Sequence, residues 1–209
     1  MARSLTIKNL YDKKFKTFDF KGVWQDTMGK PEVNGAWIVY GAEKNGKTWF
    51  SLKLAEYLSG FGKTMYVSAE EGTGMTFVDA CRRAKIDLNN NMLHFQEYIP
   101  IEELDKKLSN RKAAKIVFLD NVTIYADELK NGVLRKFLQK HSDKLIVFIA
   151  HEERKEPYTA TAKLARKLAK IIVRVQGLAC FVSGRCNGGI LMIDEQKAAL
   201  YHGTEITTT

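Results

Sequence analysis

Along the chain, short apolar runs alternate with stretches whose apolar residues recur at helical spacing. The runs are AWIVY (36–40), TMYVSA (64–69), MLHFQ (92–96), KIVFLD (115–120) and KLIVFIA (144–150). They are rich in β-branched and aromatic residues, as strands covered on both faces are. Between them the pattern predicts helices over 47–60, 74–85, 101–110 and 128–141. In the last of these, Leu129, Val133, Leu134, Phe137 and Leu138 fall on one face. Strand–helix alternation of this kind predicts an α/β fold, with a mainly parallel central sheet, right-handed crossovers and helices on its flanks.

The texture differs at the two ends. Residues 1–34 are polar, basic and aperiodic with scattered aromatics, and read as a cover segment over the domain edge. After residue 160, KIIVRVQG, LACFVSG, GILMIDE and AALYHG are short runs separated by glycine or polar turns, which predicts an antiparallel extension over 161–209. No repeat, low-complexity tract or linker divides the chain. The expectation is one domain over 1–209, with its nucleotide-binding core at 35–160.

The 209 residues suffice for one α/β domain with a substantial core, and 45% apolar with 27% charged residues is ordinary globular composition. No apolar run reaches a membrane span, and the N-terminal stretch lacks a signal-peptide apolar block. Cys81, Cys180 and Cys186 form an odd set without metal-ligand spacing, which suits free thiols and a cytoplasmic setting. A formal net charge of +9 favours polyanionic partners without requiring one.

The strongest chemical signal follows the first strand. Gly41-Ala42-Glu43-Lys44-Asn45-Gly46-Lys47-Thr48, with Trp49 after it, satisfies G-x-x-x-x-G-K-[ST]. Gly46 gives the backbone freedom for successive N–H groups to curl around a phosphate, and the helix that follows adds its positive end. Lys47 is placed to reach the β and γ phosphates of ATP, and the Thr48 hydroxyl to ligate Mg²⁺.

Other strand ends supply the remaining candidates. Asp120 closes KIVFLD, where a second Mg²⁺ anchor is expected. Asn121 stands where many ATPases carry a water-polarising glutamate, so a base must come from elsewhere. Glu70 and Glu71, in SAEEGTG, lie at a carboxyl strand edge where open α/β sheets bind ligands. His151, in FIAHEER, lies at another such edge and is a candidate for contact with a γ-phosphate or attacking water.

This order of parts resembles the RecA-type ATPases: RecA itself, the RadA and KaiC group and the DnaB-type helicases. The resemblance covers residues 35 to about 203 and rests on the phosphate loop, YVSAEEG, KIVFLDN and LIVFIAHEER. It implies that the strand ending at His151 lies between the phosphate-loop and Asp120 strands, with the Glu70 strand beyond. It makes Glu70 or Glu71 the catalytic base and His151 the counterpart of a polar γ-phosphate sensor that is commonly glutamine. SGRCNGG (183–189) is similar to a basic turn of DnaB-type helicases, with Cys186 interrupting the pattern. That likeness makes Arg185 an arginine finger acting on a neighbouring subunit's nucleotide, with Lys170 and Arg174 as weaker alternatives and a plain surface arginine as the bland one.

The segment 152–170 occupies the place of the family's second DNA-binding loop and carries Pro157 and Tyr158; it also reads as a basic amphipathic helix with Leu164 and Leu168 on the core. In its compactness the chain most resembles phage-encoded RecA-type nucleotide-binding proteins.

The resulting expectation is a Mg²⁺-dependent ATPase, oligomeric with ATP at a subunit interface, that couples hydrolysis to single-stranded DNA binding in recombination, annealing or replication. The alternative is a KaiC-like regulatory ATPase acting on a protein partner without DNA. A non-hydrolysing nucleotide-binding protein is a third reading, against which Glu70, Glu71 and Asp120 argue.

Overall fold

A computed structural model describes residues 4–202. At its centre, β1 (Gly35–Gly41), β2 (Thr64–Ser68), β3 (Leu93–Glu97), β4 (Ile116–Asp120) and β5 (Leu145–Glu153) run parallel in the order β3-β2-β4-β5-β1. The strand ending near His151 therefore lies between the phosphate-loop and Asp120 strands, as the family resemblance implies. On the far side of β1 come β7 (Ile171–Gln176), parallel to it, and then β8 (Ala179–Gly184) and β9 (Gly189–Met192), both antiparallel to their neighbours. The antiparallel extension is thus grafted onto one further parallel strand.

Both faces of the sheet are covered, which is why its strands read as apolar runs without alternation. On one face, Trp37 and Val39 of β1 pack with Phe50, Leu54 and Leu58 of α3 (Lys47–Ser59). The N-terminal segment closes this layer: Phe18 and Phe20 are buried against Trp37, with Tyr57 and Phe61 around them. On the other face, Ile38 and Tyr40 meet Leu104 and Leu108 of α5 (Ile101–Leu108), Phe137 of α6 (Val133–Lys140) and Ala162 and Ala165 of α7 (Ala160–Leu168).

Some expected elements differ. The helix expected over 128–141 begins at Val133, because Asn131 (φ 54°) and Gly132 (φ 86°) take left-handed conformations that a helix cannot continue through. Leu129 is nonetheless buried, so its apolar signal came from a packed turn. The run AALYHG is not a strand: Glu195–His202 forms α8, which buries Ala198 and leaves Leu200 exposed.

The segment expected as a long basic loop is ordered. β5 turns back through Arg154 and Lys155 into β6 (Glu156–Pro157), and Thr159 caps α7, whose Leu164 and Leu168 pack on the core. Arg166 bonds Glu156 at 2.7 Å, and Arg174 makes a two-pronged bond to Glu152 at 2.7 Å on each arm. The Glu152 side chain is only 7% exposed. Arg174→Ala would leave that carboxylate buried and unpaired, so a loss of about 3 kcal/mol is expected. Urea denaturation of both proteins checks this, and a loss below about 1 kcal/mol, the range of exposed pairs, would contradict it.

Candidate functional site

Because β1, β2, β4, β5 and β7 are parallel, their carboxyl ends share one sheet edge, and the candidate residues gather there. The phosphate loop leaves β1 at Gly41 and enters α3 through Gly46, whose left-handed φ of 99° suits glycine. Gly41 is required for space instead: a Cβ there would lie 2.2 Å from the Val175 carbonyl oxygen. The loop is tied to the β7–β8 turn. Asn45 Oδ1 accepts from the Gly177 N–H at 2.7 Å, and its carbonyl accepts from the Leu178 N–H at 3.2 Å. Ala42, Glu43 and Lys44 are exposed along the loop, and Thr48 and Trp49 are half-buried.

Lys47 is buried, and its ammonium donates to the Ala42 carbonyl at 2.8 Å. Burial holds its pKa below the ordinary lysine range, against the opposing pull of Asp120 and Glu70. A buried cation with a single carbonyl acceptor among the described residues suits a polyphosphate.

The sequence alone left Glu70 and Glu71 as equals; the geometry separates them. Glu70 Oε2 accepts from Asn121 Nδ2 at 3.0 Å, and the Nε2 of His151 lies 3.1 and 3.2 Å from its two oxygens. Burial alone would raise the Glu70 pKa, but the bonds from Asn121 and His151, with Lys47 nearby, hold it below the ordinary carboxylate range. Asn121 itself is buried, its Oδ1 accepting from the Thr123 N–H at 2.9 Å. The residue at the usual glutamate position therefore holds a carboxylate supplied by another strand. Glu71 is exposed and lines the neighbouring cleft.

Asp120 ends β4 half-buried and accepts a bond from the Tyr66 hydroxyl at 2.5 Å. Desolvation first, then the charges of Glu70 and Glu71, push its pKa up to about 6 despite Tyr66 and Lys47. Among the described residues no three His, Cys, Asp or Glu side chains gather into a metal site; a divalent cation here would draw further ligands from phosphate oxygens and water, with Thr48 and Asp120 as the residues to hold it. In the unliganded protein the same burial costs stability. The folded pKa exceeds the unfolded value, so this cost grows as pH rises from about 4 and is complete above about 6. Asp120→Asn, which still accepts from Tyr66, is expected to be more stable than wild type by about 2 kcal/mol at pH 8 and equal near pH 3.5. Thermal melts across that range check the sign.

Arg185 is not brought to this site. It follows β8 at the opposite edge of the sheet, where its N–H donates to the Lys170 carbonyl at 2.7 Å. β8 runs antiparallel, so its end lies away from the phosphate loop. The weaker alternatives are engaged within the chain: Lys170 with Glu32 at 2.8 Å, and Arg174 with Glu152. Sequence reading missed Arg83 of α4 (Met75–Ala84) and Lys197 of α8, which face a cleft of about 480 Å³ beside Gly46, Thr48 and Trp49. Neither lies in a recognisable motif, and only folding brings them to the loop.

Among the described residues, no helix is long and apolar enough to cross a membrane. A search of curated proteins found no match. Among solved structures, the fold is similar to the flagellar accessory protein FlaH from Methanocaldococcus jannaschii. The TM-score is 0.62 at 17% identity, covering 87% of this chain and 96% of that one. That likeness shows a RecA-like fold. A sequence model described as inactive STAND, iSTAND, matches residues 11–157. The match covers more than half of the chain, including the phosphate loop and the ends of β1, β2, β4 and β5, and on that ground the chain belongs to the inactive STAND family.

Proposed function

We propose that this chain binds ATP with Mg²⁺ at the Gly41–Thr48 loop and hydrolyses it, with Glu70 as the base that orients water. The observation that carries the reading is the buried Lys47 ammonium of the phosphate loop, bonded only to the Ala42 carbonyl among the described residues, at the sheet edge where Asp120 ends β4 and Glu70 follows β2. In this assignment Lys47 and the loop N–H groups hold the phosphates, while Thr48 and Asp120 hold the cation, which neutralises phosphate charge. Asn121 and His151 hold the Glu70 carboxylate ionised and fixed in orientation, so that it can accept a hydrogen bond from the attacking water and align it. The family's description as inactive weighs against turnover. In this chain, however, the lysine, hydroxyl, aspartate and glutamate are all present at the carboxyl edge of the sheet, which supports keeping it.

Single-stranded DNA is the proposed effector. The support is the net charge of +9 and the β5–β6 hairpin, which carries Arg154 and Lys155 exposed at its tip and Tyr158 57% exposed beside it. The hairpin continues from His151, whose carbonyl accepts from the Tyr158 N–H at 2.9 Å, so it is joined directly to the Glu70 cluster. A second reading, a nucleotide-dependent switch acting on a protein partner, is favoured by the internal pairing of Arg166 and Arg174, which removes two cations from any DNA surface. Arg185 as a finger acting on a neighbour belongs to the oligomeric form of the first reading.

The test is ATP binding and hydrolysis with and without Mg²⁺ and single-stranded DNA over a salt series. Binding that needs Mg²⁺, with turnover raised by DNA and lost steeply with salt, supports the first reading. Turnover indifferent to DNA, with no DNA binding at low salt, selects the switch. Failure to bind ATP removes both.

A further inference from the structure

The cleft beside the phosphate loop is lined by Lys47 and Thr48, the loop residues assigned to the phosphates and the cation. Trp49, Leu178 of the β7–β8 turn and Lys197 of α8 line it as well. We propose that α8 forms the nucleoside-side wall of this cleft and that Lys197 is a nucleotide-binding residue there. This rests on the assignment of the loop to ATP.

The present position of Lys197 leaves it free to take a ligand. Its ammonium lies 5.4 Å from the centre of the Trp49 ring and 3.7 Å from Asp194, a long and mostly exposed ion pair. The same indole carries a second cation, Lys53, at 5.5 Å, but that one donates to the Ile193 carbonyl at 3.2 Å and does not line the cleft. Two ammonium groups on one ring repel each other. An anionic or polar ligand beside Trp49 draws on Lys197, the less firmly bonded of the two.

The seat of α8 is built from the residues that shape the phosphate loop. Tyr201 packs against Gly177, so closely that a Cβ on Gly177 would meet its ring at 2.0 Å. The Nε2 of His202 lies 2.8 Å from the Gln176 carbonyl oxygen. Gly177 and Leu178 in turn bond Asn45, and the Leu178 side chain covers Gly46. A ligand that settles the loop therefore settles the turn on which α8 rests. Lys197 projects from the first turn of that helix into the cleft.

The experiment titrates fluorescent N-methylanthraniloyl ATP and ADP, with Mg²⁺, into wild type, Lys197→Ala, Lys197→Arg and Lys53→Ala, and follows amide hydrogen exchange over 195–202. Lys197→Ala is expected to raise Kd about tenfold for both nucleotides alike, because the contact is away from the γ-phosphate. Lys197→Arg should stay within about threefold of wild type and Lys53→Ala should match it, while ADP slows exchange in α8 of the wild type. Unchanged affinity in Lys197→Ala overturns the proposal, as does an equal loss in Lys53→Ala, which would trace the effect to Trp49 instead. If wild type binds neither nucleotide, the ATP assignment fails and takes this inference with it. Binding that is intact but indifferent to Lys197 sinks this inference alone.

Discussion

Replacing Lys47 by alanine or methionine is expected to weaken ATP binding by a few hundredfold or more, about 3–4 kcal/mol, and the methionine to do so without lowering the stability of the unliganded protein. The two halves of this result have one cause. Lys47 is buried, its ammonium bonds the Ala42 carbonyl, and burial depresses its pKa even with Asp120 and Glu70 attracting it. The unfolded chain holds that proton more tightly than the folded one, so the charged side chain detracts from stability at every pH below its folded pKa. A nucleotide reverses the balance by supplying phosphate oxygens to a cation already stripped of water. Lys47→Met keeps most of the packing volume and should melt at or above the wild-type temperature. Titration calorimetry and thermal melts at pH 7.5 read both quantities. Wild-type affinity in either variant would show that the phosphates lie elsewhere, and a large stability loss in Lys47→Met would contradict the burial argument.

Glu70→Gln is expected to cut ATP turnover by about a hundred- to ten-thousandfold while leaving ATP affinity within about threefold, and Glu71→Gln to change turnover by less than about threefold. Glutamine keeps the shape and still accepts from Asn121, but it cannot take a proton from water. Its neighbour stands exposed on the cleft wall without that pair of bonds. Single-turnover hydrolysis with saturating Mg²⁺ measures the chemical step apart from binding. Equal losses in the two variants would refute the division of roles. The wild-type pH profile adds a constraint. Glu70 is held below the ordinary carboxylate range, so it stays ionised through neutral pH, and kcat/KM should fall instead as pH drops through about 6, where Asp120 of the free protein takes up its proton.

What the residue order determined by itself was local or periodic. The five apolar runs became the parallel strands, because strands covered on both faces cannot hide their composition. The phosphate loop was legible because its chemistry sits in eight consecutive residues, and Asp120 and His151 because each ends such a run. Where a local signal misled, an equally local competitor prevailed: Asn131 and Gly132 break the helix before Val133, and Asp194, whose side chain accepts from the Lys197 N–H, starts α8 where the run reads as a strand.

The tertiary structure decided what depends on distance across the sheet. It set Glu70 apart from Glu71, since only the pairing of β2 with β4 and β4 with β5 places the Glu70 carboxylate between Asn121 and His151. It turned the basic segment after His151 into a hairpin and helix, because Glu152 and Glu156 find Arg174 and Arg166. It carried Arg185 to the opposite sheet edge, since β8 runs antiparallel, and brought Lys197 to the loop. Side chains far apart in the chain meet only once strand order and direction are set, and that information is carried by the packing of the whole core and not by any one stretch of residues.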